Sequence, residues 1–292
     1  MNAISIKNLT KKYGSILAVD DISLDVAEAD FFGFIGPNGA GKTTTIKTLL
    51  GLLRANSGEI KIFGESIQKN NFQQYIGLVP GEANLYGNLK VGEQIAYFAR
   101  YYEDIDSKYL SRLKEMFELK VDKKISDLSL GNKKKIAIVC ALMNKPKLLV
   151  FDEVSNSLDP LMQKVLFDEL ARLNNNGTTI FFSSHNLEEV QTFCKNVAII
   201  RSGKIIETDN VKKIVASVGL QVTIKTKKSI DQAFFVRHKI DCNKNGNNSM
   251  SFVYKVDINE LISMVSKYKL ESIRISDVKL EDIFGEFYEK EE

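Results

Sequence analysis

The sequence predicts an α/β fold: a mainly parallel sheet with helices on its faces, an added antiparallel β layer, and a small α+β unit near the C-terminal end. Three observations carry this. Between Phe31 and Arg201, short apolar runs alternate with segments of helical periodicity, the pattern of a parallel sheet and its crossover helices. Residues 3–9 and 19–26 alternate apolar with polar, as half-buried strands do. From Gly219 the order changes to βαββαβ, which suggests a ferredoxin-like unit.

Taken in order, Phe31–Ile35 is a short apolar run closed by glycine and reads as a fully buried strand. Lys42–Leu53 has Ile46, Leu49, Leu50 and Leu53 on one side, a helical spacing. Ile76–Val79 is a further strand, and 91–119 reads as two helices. Lys133–Met143 is helical, Leu148–Phe151 a buried strand, followed by helix 160–173, strand 178–183, helix 186–194 and strand 197–201. A hairpin-like return at Lys204–Glu207 leads into a short helix reaching about Val218. Beyond it we expect strand 220–226, helix 229–235, strand 236–241, strand 250–256, helix 257–268, strand 271–276 and a closing helix near 279–290. Asn243–Ser249, rich in Asn and Gly, is the turn between the two middle strands.

Composition excludes several classes. The 292 residues are 44% hydrophobic and 26% charged, which rules out a wholly disordered chain. Forty Lys and Arg against 37 Asp and Glu leave a net charge of +3, too balanced for a protein that binds nucleic acid through a basic face. The three cysteines, Cys140, Cys194 and Cys242, are far apart and form no C-x-x-C, so neither a disulfide framework nor a zinc site is expected, and the compartment is read as reducing. The longest apolar run, Ile136–Met143, falls far short of the roughly 20 residues that span a bilayer. All four prolines and 13 of the 18 glycines lie within the first 160 residues. Turn chemistry is thus concentrated in one part of the chain.

That part carries two motifs. Gly36-Pro37-Asn38-Gly39-Ala40-Gly41-Lys42-Thr43-Thr44 fits G-x-x-x-x-G-K-[ST]. The glycines let backbone N–H groups wrap a phosphate, Lys42 brings positive charge to β- and γ-phosphates, and Thr43 offers a hydroxyl to Mg²⁺. The helix opening at Lys42 adds its positive end. The second motif is Leu148–Phe151 followed by Asp152 and Glu153, an apolar strand that ends in two carboxylates. Asp152 is placed to hold Mg²⁺, directly or through water, and Glu153 to orient or deprotonate the attacking water.

In this order the motifs resemble the nucleotide-binding ATPase subunit of ABC transporters, over residues 1 to about 215. The resemblance implies that Tyr13, in Lys11-Lys12-Tyr13-Gly14, stacks on adenine. Leu128-Ser129-Leu130-Gly131-Asn132 sits where that family carries LSGGQ; Ser129 and Gly131 are kept, Leu130 and Asn132 depart. There Ser129 and the backbone near Gly131 would face ATP bound by the other subunit. The basic run Lys133–Lys135 that follows reads as a solvated helix face. Ser157-Leu158-Asp159-Pro160 resembles the D-loop that couples the two sites of a dimer, and His185 matches the switch histidine at the γ-phosphate. His238, between Arg237 and Lys239, receives no role.

One position departs from the family. A glutamine is usual after the strand that here ends Val79-Pro80, and this chain has Gly81 and then Glu82. Glu82 either replaces it as a hard oxygen ligand for the metal or is an exposed loop acid. The Pro-Gly-Glu and Ser-Leu-Gly segments and the extension ending Leu280–Phe284 resemble the branch that holds bacitracin- and daunorubicin-resistance exporters.

The resemblance implies a P-loop NTPase domain over 1–218 with a helical subdomain at about 85–145, and an accessory domain over 219–292. It implies ATP and Mg²⁺ as ligands and a homodimer, or a paired ATPase subunit. A separate transmembrane permease would hold the protein at the cytoplasmic face of the membrane, and no nucleic acid is expected. Residues 219–292 are either regulatory or dimer-supporting, or structural padding. Two rivals remain at this point: a soluble ATPase of the same superfamily acting on ribosomes or DNA, and a regulatory module with a degenerate site.

Overall fold

A computed structural model describes residues 1–68, 72–154, 157–227, 230, 235, 240, 242–246, 248–255, 257–281 and 283. Contacts divide the chain into two units, Met1–Thr208 and Asp209–Glu292.

The first unit holds the strands β3 (Phe31–Ile35), β6 (Ile76–Val79), β7 (Leu148–Asp152), β8 (Thr179–Ser184), β9 (Asn196–Arg201) and β10 (Lys204–Asn210), the last crossing its boundary. They form one sheet in the order β10-β9-β3-β8-β7-β6. Its central pairs are parallel, with Ile35 opposite Ser184 and Asp152 opposite Ser183. Every residue of β3, β7 and β8 is buried, which is why these segments read as continuous apolar runs. Aromatic side chains fill the middle: Phe32 stacks on Phe181 at 5.9 Å, and Phe151 lies 6.2 Å from Phe182.

A second sheet runs β2-β1-β4-β5 from β1 (Asn2–Tyr13), β2 (Ile16–Ala27), β4 (Ser57–Ile62) and β5 (Glu65–Ser66). The long hairpin β1–β2 closes at Tyr13↔Ile16. Our sequence reading expected the antiparallel layer but did not place β4 and β5. Their signal was the alternation of Ile60 and Ile62, which pack beside Ile4, Ile6, Leu24 and Val26 in one core with Phe32, Phe34 and Phe181.

Helix α1 (Lys42–Leu49) joins that core through Ile46 and Leu49. It stops short of the expected Leu53, because the N–H groups of Leu50 to Leu53 fold back onto the carbonyls of Ile46, Lys47 and Thr48. The helices α2 (Val91–Ala99), α3 (Ser107–Met116) and α4 (Leu130–Leu142) follow, then α5 (Pro160–Asn175) and α6 (Leu187–Phe193). Helix α4 starts three residues before the expected Lys133, since Ser129 caps it by accepting from Asn132 N. Buried Glu169 of α5 ties α3 to α5. It accepts from Tyr109 Oη at 2.8 Å and from Arg112 at 2.9 Å.

In the second unit a helix, Val211–Val218, leads into an antiparallel sheet of order β12-β13-β11-β14. Its strands are β11 (Leu220–Thr226), β12 (Cys242–Lys244), β13 (Ser249–Tyr254) and β14 (Leu270–Asp277), with the helix Ile258–Val265 before the last. This is the pairing of a split βαββαβ unit. The expected helix 229–235, strand 236–241 and closing helix 279–290 lie largely outside the described residues, as does His238. Of these segments Ile230, Phe235 and Ile240 are seen in the core with Val222, Phe252 and Leu261.

Candidate functional site: a phosphate loop facing an acidic strand end

Because β3, β8 and β7 are neighbours and parallel, their C-terminal ends lie along one edge of the sheet. Ligands of open parallel sheets bind at that edge. Three segments leave it here: the phosphate loop after Ile35, Glu153 after Asp152, and His185 after Ser184.

The loop itself is local chemistry. Gly41, the N-cap of α1, has φ of +107°, and a Cβ there would stand 2.5 Å from the carbonyl oxygen of Ala18. Glycine is required on both counts. Gly36 and Ala40 are buried at the base of the loop, while Pro37, Asn38 and Gly39 form its exposed crest. Thr43 is exposed and Thr44 half-buried in the first turn of α1.

Lys42 is buried, and its ammonium is surrounded by oxygens. Nζ donates to Gly36 O at 2.6 Å and to Pro37 O at 2.9 Å, and it pairs with Glu153 Oε1 at 3.0 Å. Glu153 Oε2 lies 3.7 Å from His185 Nδ1. The Glu153 backbone is in the left-handed region, with φ of +52°. For a residue other than glycine this costs on the order of 1 kcal/mol and marks a constrained position. Its N–H donates to Ser183 O at 3.2 Å. Asp152 accepts at Oδ1 from Thr43 Oγ1 at 3.2 Å and from Ser183 Oγ at 3.0 Å. Lys42, Thr43, Asp152, Glu153 and His185 therefore converge on one place.

Thr43 and Asp152 set two hard oxygens side by side. Mg²⁺ takes one or two protein oxygens and completes its shell with phosphates and water, so these residues fit it.

The family model described as ABC transporter matches residues 19–156. The ABC transporter ATP-binding protein YhaQ of Bacillus subtilis (strain 168) is 33% identical over 301 residues, covering 98% of this chain and 100% of that protein. The chain belongs to the ABC transporter ATP-binding proteins. The bacitracin transport ATP-binding protein BcrA of Bacillus licheniformis is 38% identical over 220 residues, 72% of this chain and 71% of its own. A solved ATP-binding subunit of an ABC transporter superposes with a TM-score of 0.69 at 27% identity, over 74% of this chain and 92% of that one. Among the described residues no helix is long and apolar enough to cross a membrane.

Other expected positions of this ATP-binding subunit lie apart from that convergence. Tyr13 is half exposed at the end of β1, with Lys11 Nζ 5.1 Å from its ring centre. Ser129 is exposed at the start of α4 and accepts from Asn132 Nδ2 at 3.1 Å. Gly131 packs on the 157–160 segment: a Cβ there would stand 2.6 Å from Ser157 O. Asp159 caps α5, accepting from Met162 N at 3.0 Å, with Pro160 as the first helical residue. Glu82 is exposed. It is position 81 that adjoins the acid pair, since a Cβ on Gly81 would stand 3.8 Å from Asp152 Oδ2.

The structure corrects one expectation and adds two residues. Lys133–Lys135 is not a solvated face: Lys134 is 2% and Lys135 8% exposed. Lys135 reaches Glu118 at 3.7 Å, while Lys134 Nζ donates to Pro80 O and Gly81 O, both at 2.6 Å. Burial pushes the Lys134 ammonium below the usual lysine range, and the charges of Asp152 and Glu153 oppose that shift. Nothing in three consecutive lysines distinguishes the one that reaches the loop after β6. Ser183 was also missed, because a serine at a strand end carries no signal until Asp152 is found beside it.

Proposed function

We propose that this subunit hydrolyses ATP, works as a dimer, and drives a separate transmembrane permease as an exporter at the cytoplasmic face of the membrane. The observation that supports this best is the meeting of Lys42, Thr43, Asp152, Glu153 and His185 at one sheet edge. The name of BcrA, a bacitracin transport protein, supports the exporter branch.

In this reading the loop Gly36-Pro37-Asn38-Gly39-Ala40-Gly41-Lys42-Thr43-Thr44 cradles the phosphates with the backbone N–H groups of its residues other than Pro37. Lys42 leaves Glu153 for the β- and γ-phosphate oxygens, and Tyr13 stacks on the adenine. Thr43 and Asp152 would hold Mg²⁺, directly or through water, and the ion would supply neutralisation of charge on the phosphoryl group, with Glu82 either a further oxygen ligand or an exposed loop acid. Glu153, released from Lys42, orients the water and takes its proton as the water oxygen bonds to the γ-phosphorus. The bond from the γ-phosphorus to the bridging oxygen breaks, leaving ADP and phosphate. His185 donates to the γ-phosphate. Ser129, Gly131 and Asp159 serve the nucleotide of the partner subunit, which suits the exposure of the Ser129 end of α4. Residues 1–218 form the ATPase domain, and 219–292 an accessory domain that supports or regulates the dimer.

The test is Mg²⁺-dependent ATP hydrolysis by the purified chain, together with ATP-induced dimerisation and co-purification with a membrane protein of about six apolar spans of roughly 20 residues each. Absence of hydrolysis, or co-sedimentation with ribosomes in place of the membrane protein, would overturn the reading.

A further inference from the structure

Lys134 lies 54 residues from Pro80 in sequence yet donates to its carbonyl and to that of Gly81. Two 2.6 Å bonds from one ammonium leave little room for displacement, since hydrogen bonds weaken steeply away from their optimum. The clamped segment is not remote from the chemistry. Gly81 presents bare backbone to the acidic strand end, and a Cβ on it would meet Asp152 O at 3.3 Å. A buried ammonium is costly unless its charge is answered. Here it is answered by the two carbonyls and, through space, by Asp152 and Glu153. The helix that carries Lys134 is α4, which is capped by Ser129 and fixed at Gly131 against Ser157.

We propose that Lys134 is a positioning residue for hydrolysis: it clamps the loop after β6 against Asp152 and places a fixed positive charge behind the acid pair, so that the position of α4 is felt at Asp152 and Glu153. The proposal rests on the ATPase reading above. Its physical consequences are two. Loss of the clamp misplaces the acid pair and slows the chemical step more than it weakens nucleotide binding. Loss of the charge removes a repulsion on a divalent cation at Asp152, so the metal binds more tightly.

The experiment uses the full chain with Lys134→Met, which keeps the apolar stem, and Lys134→Gln, which keeps hydrogen-bond donors without charge. Turnover, KM for ATP and Tm are measured, and Mn²⁺ binding in the presence of ADP is read by electron paramagnetic resonance. For Lys134→Met, kcat should fall about ten-fold or more with KM within about two-fold, as a misplaced catalytic group gives. Lys134→Gln should recover part of that turnover. Both should bind Mn²⁺ about three-fold more tightly, the sign expected for removing a like charge. Unchanged turnover in both variants overturns the proposal. So does weaker Mn²⁺ binding with kcat, KM and Tm all impaired together, which would make Lys134 a structural strut. Should the wild-type chain hydrolyse no ATP, the ATPase reading fails, and the Mn²⁺ comparison still decides whether the Lys134 charge acts on the metal position.

Discussion

Lys42 Nζ and Glu153 Oε1 stand 3.0 Å apart. The two charges thus neutralise each other, and in the proposed function a phosphate entering the loop separates them. The Lys42 side chain is 3% exposed and that of Glu153 27%, so the pair is shielded enough to matter.

Glu153→Gln tests both halves of this relationship. Turnover should fall by about 10²- to 10⁴-fold, the range for losing a general base. ATP affinity should rise, because Lys42 loses its competitor, and the dimer should accumulate in ATP. Stopped-flow hydrolysis and equilibrium nucleotide binding check this, and near-normal turnover would remove Glu153 from its role.

Tyr13→Ala should raise KM for ATP by about 5- to 100-fold, the equivalent of roughly 1–3 kcal/mol of stacking, and leave kcat nearly intact. Steady-state kinetics at saturating ATP separate the two. A collapse of kcat with unchanged KM would show that the ring does not serve binding.

Gly131→Ala forces a Cβ to 2.6 Å from Ser157 O, and backbone on both sides leaves no flexible side chain to yield. We expect a loss of about 1–3 kcal/mol in stability and impaired ATP-dependent dimerisation. Urea denaturation and light scattering in ATP measure the two effects.

Glu169 gives a pH dependence with a definite sign. Burial raises its pKa, but hydrogen bonds from Arg172 and Tyr109 and the charge of Arg112 overcome that, and the carboxyl is held below the ordinary glutamate value of 4.5. The folded state therefore favours the ionised form. Its contribution is full above about pH 4.5 and is lost as pH falls through the lower folded value. Glu169→Gln should cost about 1–3 kcal/mol near pH 7 and progressively less toward acid. Urea titrations of both proteins from neutral to acid pH should converge.

All three cysteines are buried and outside any disulfide. Burial pushes the Cys140 thiol up to about 12 and raises Cys194 well above its usual value, so neither forms thiolate at neutral pH. Thiol titration of the native chain should leave Cys140 and Cys194 unmodified until denaturant is added.

The sequence by itself determined what is contiguous. A phosphate cradle needs glycines, a lysine and a threonine within nine residues, and residues 36–44 supply them in one stretch. An acid pair at the end of a buried strand needs only the run 148–153. The alternation of buried strands and helices was legible for the same reason, since period and burial are properties of neighbouring residues. The strands β4 and β5 were not, because β4 opens with Ser57, Gly58 and Glu59 before its two isoleucines and β5 is only the pair Glu65–Ser66.

Tertiary structure alone decided what is distant. Thr43 and Asp152 meet across 109 residues because β3, β8 and β7 are adjacent and parallel, an order no local pattern encodes. The same holds for Lys134, which is one of three consecutive lysines until α4 packs on the loop after β6 and aims its ammonium at the carbonyls of Pro80 and Gly81. The left-handed backbone of Glu153 belongs here too. Local propensity disfavours it, and the neighbours that hold it, Ser183 and Lys42, come from other parts of the chain.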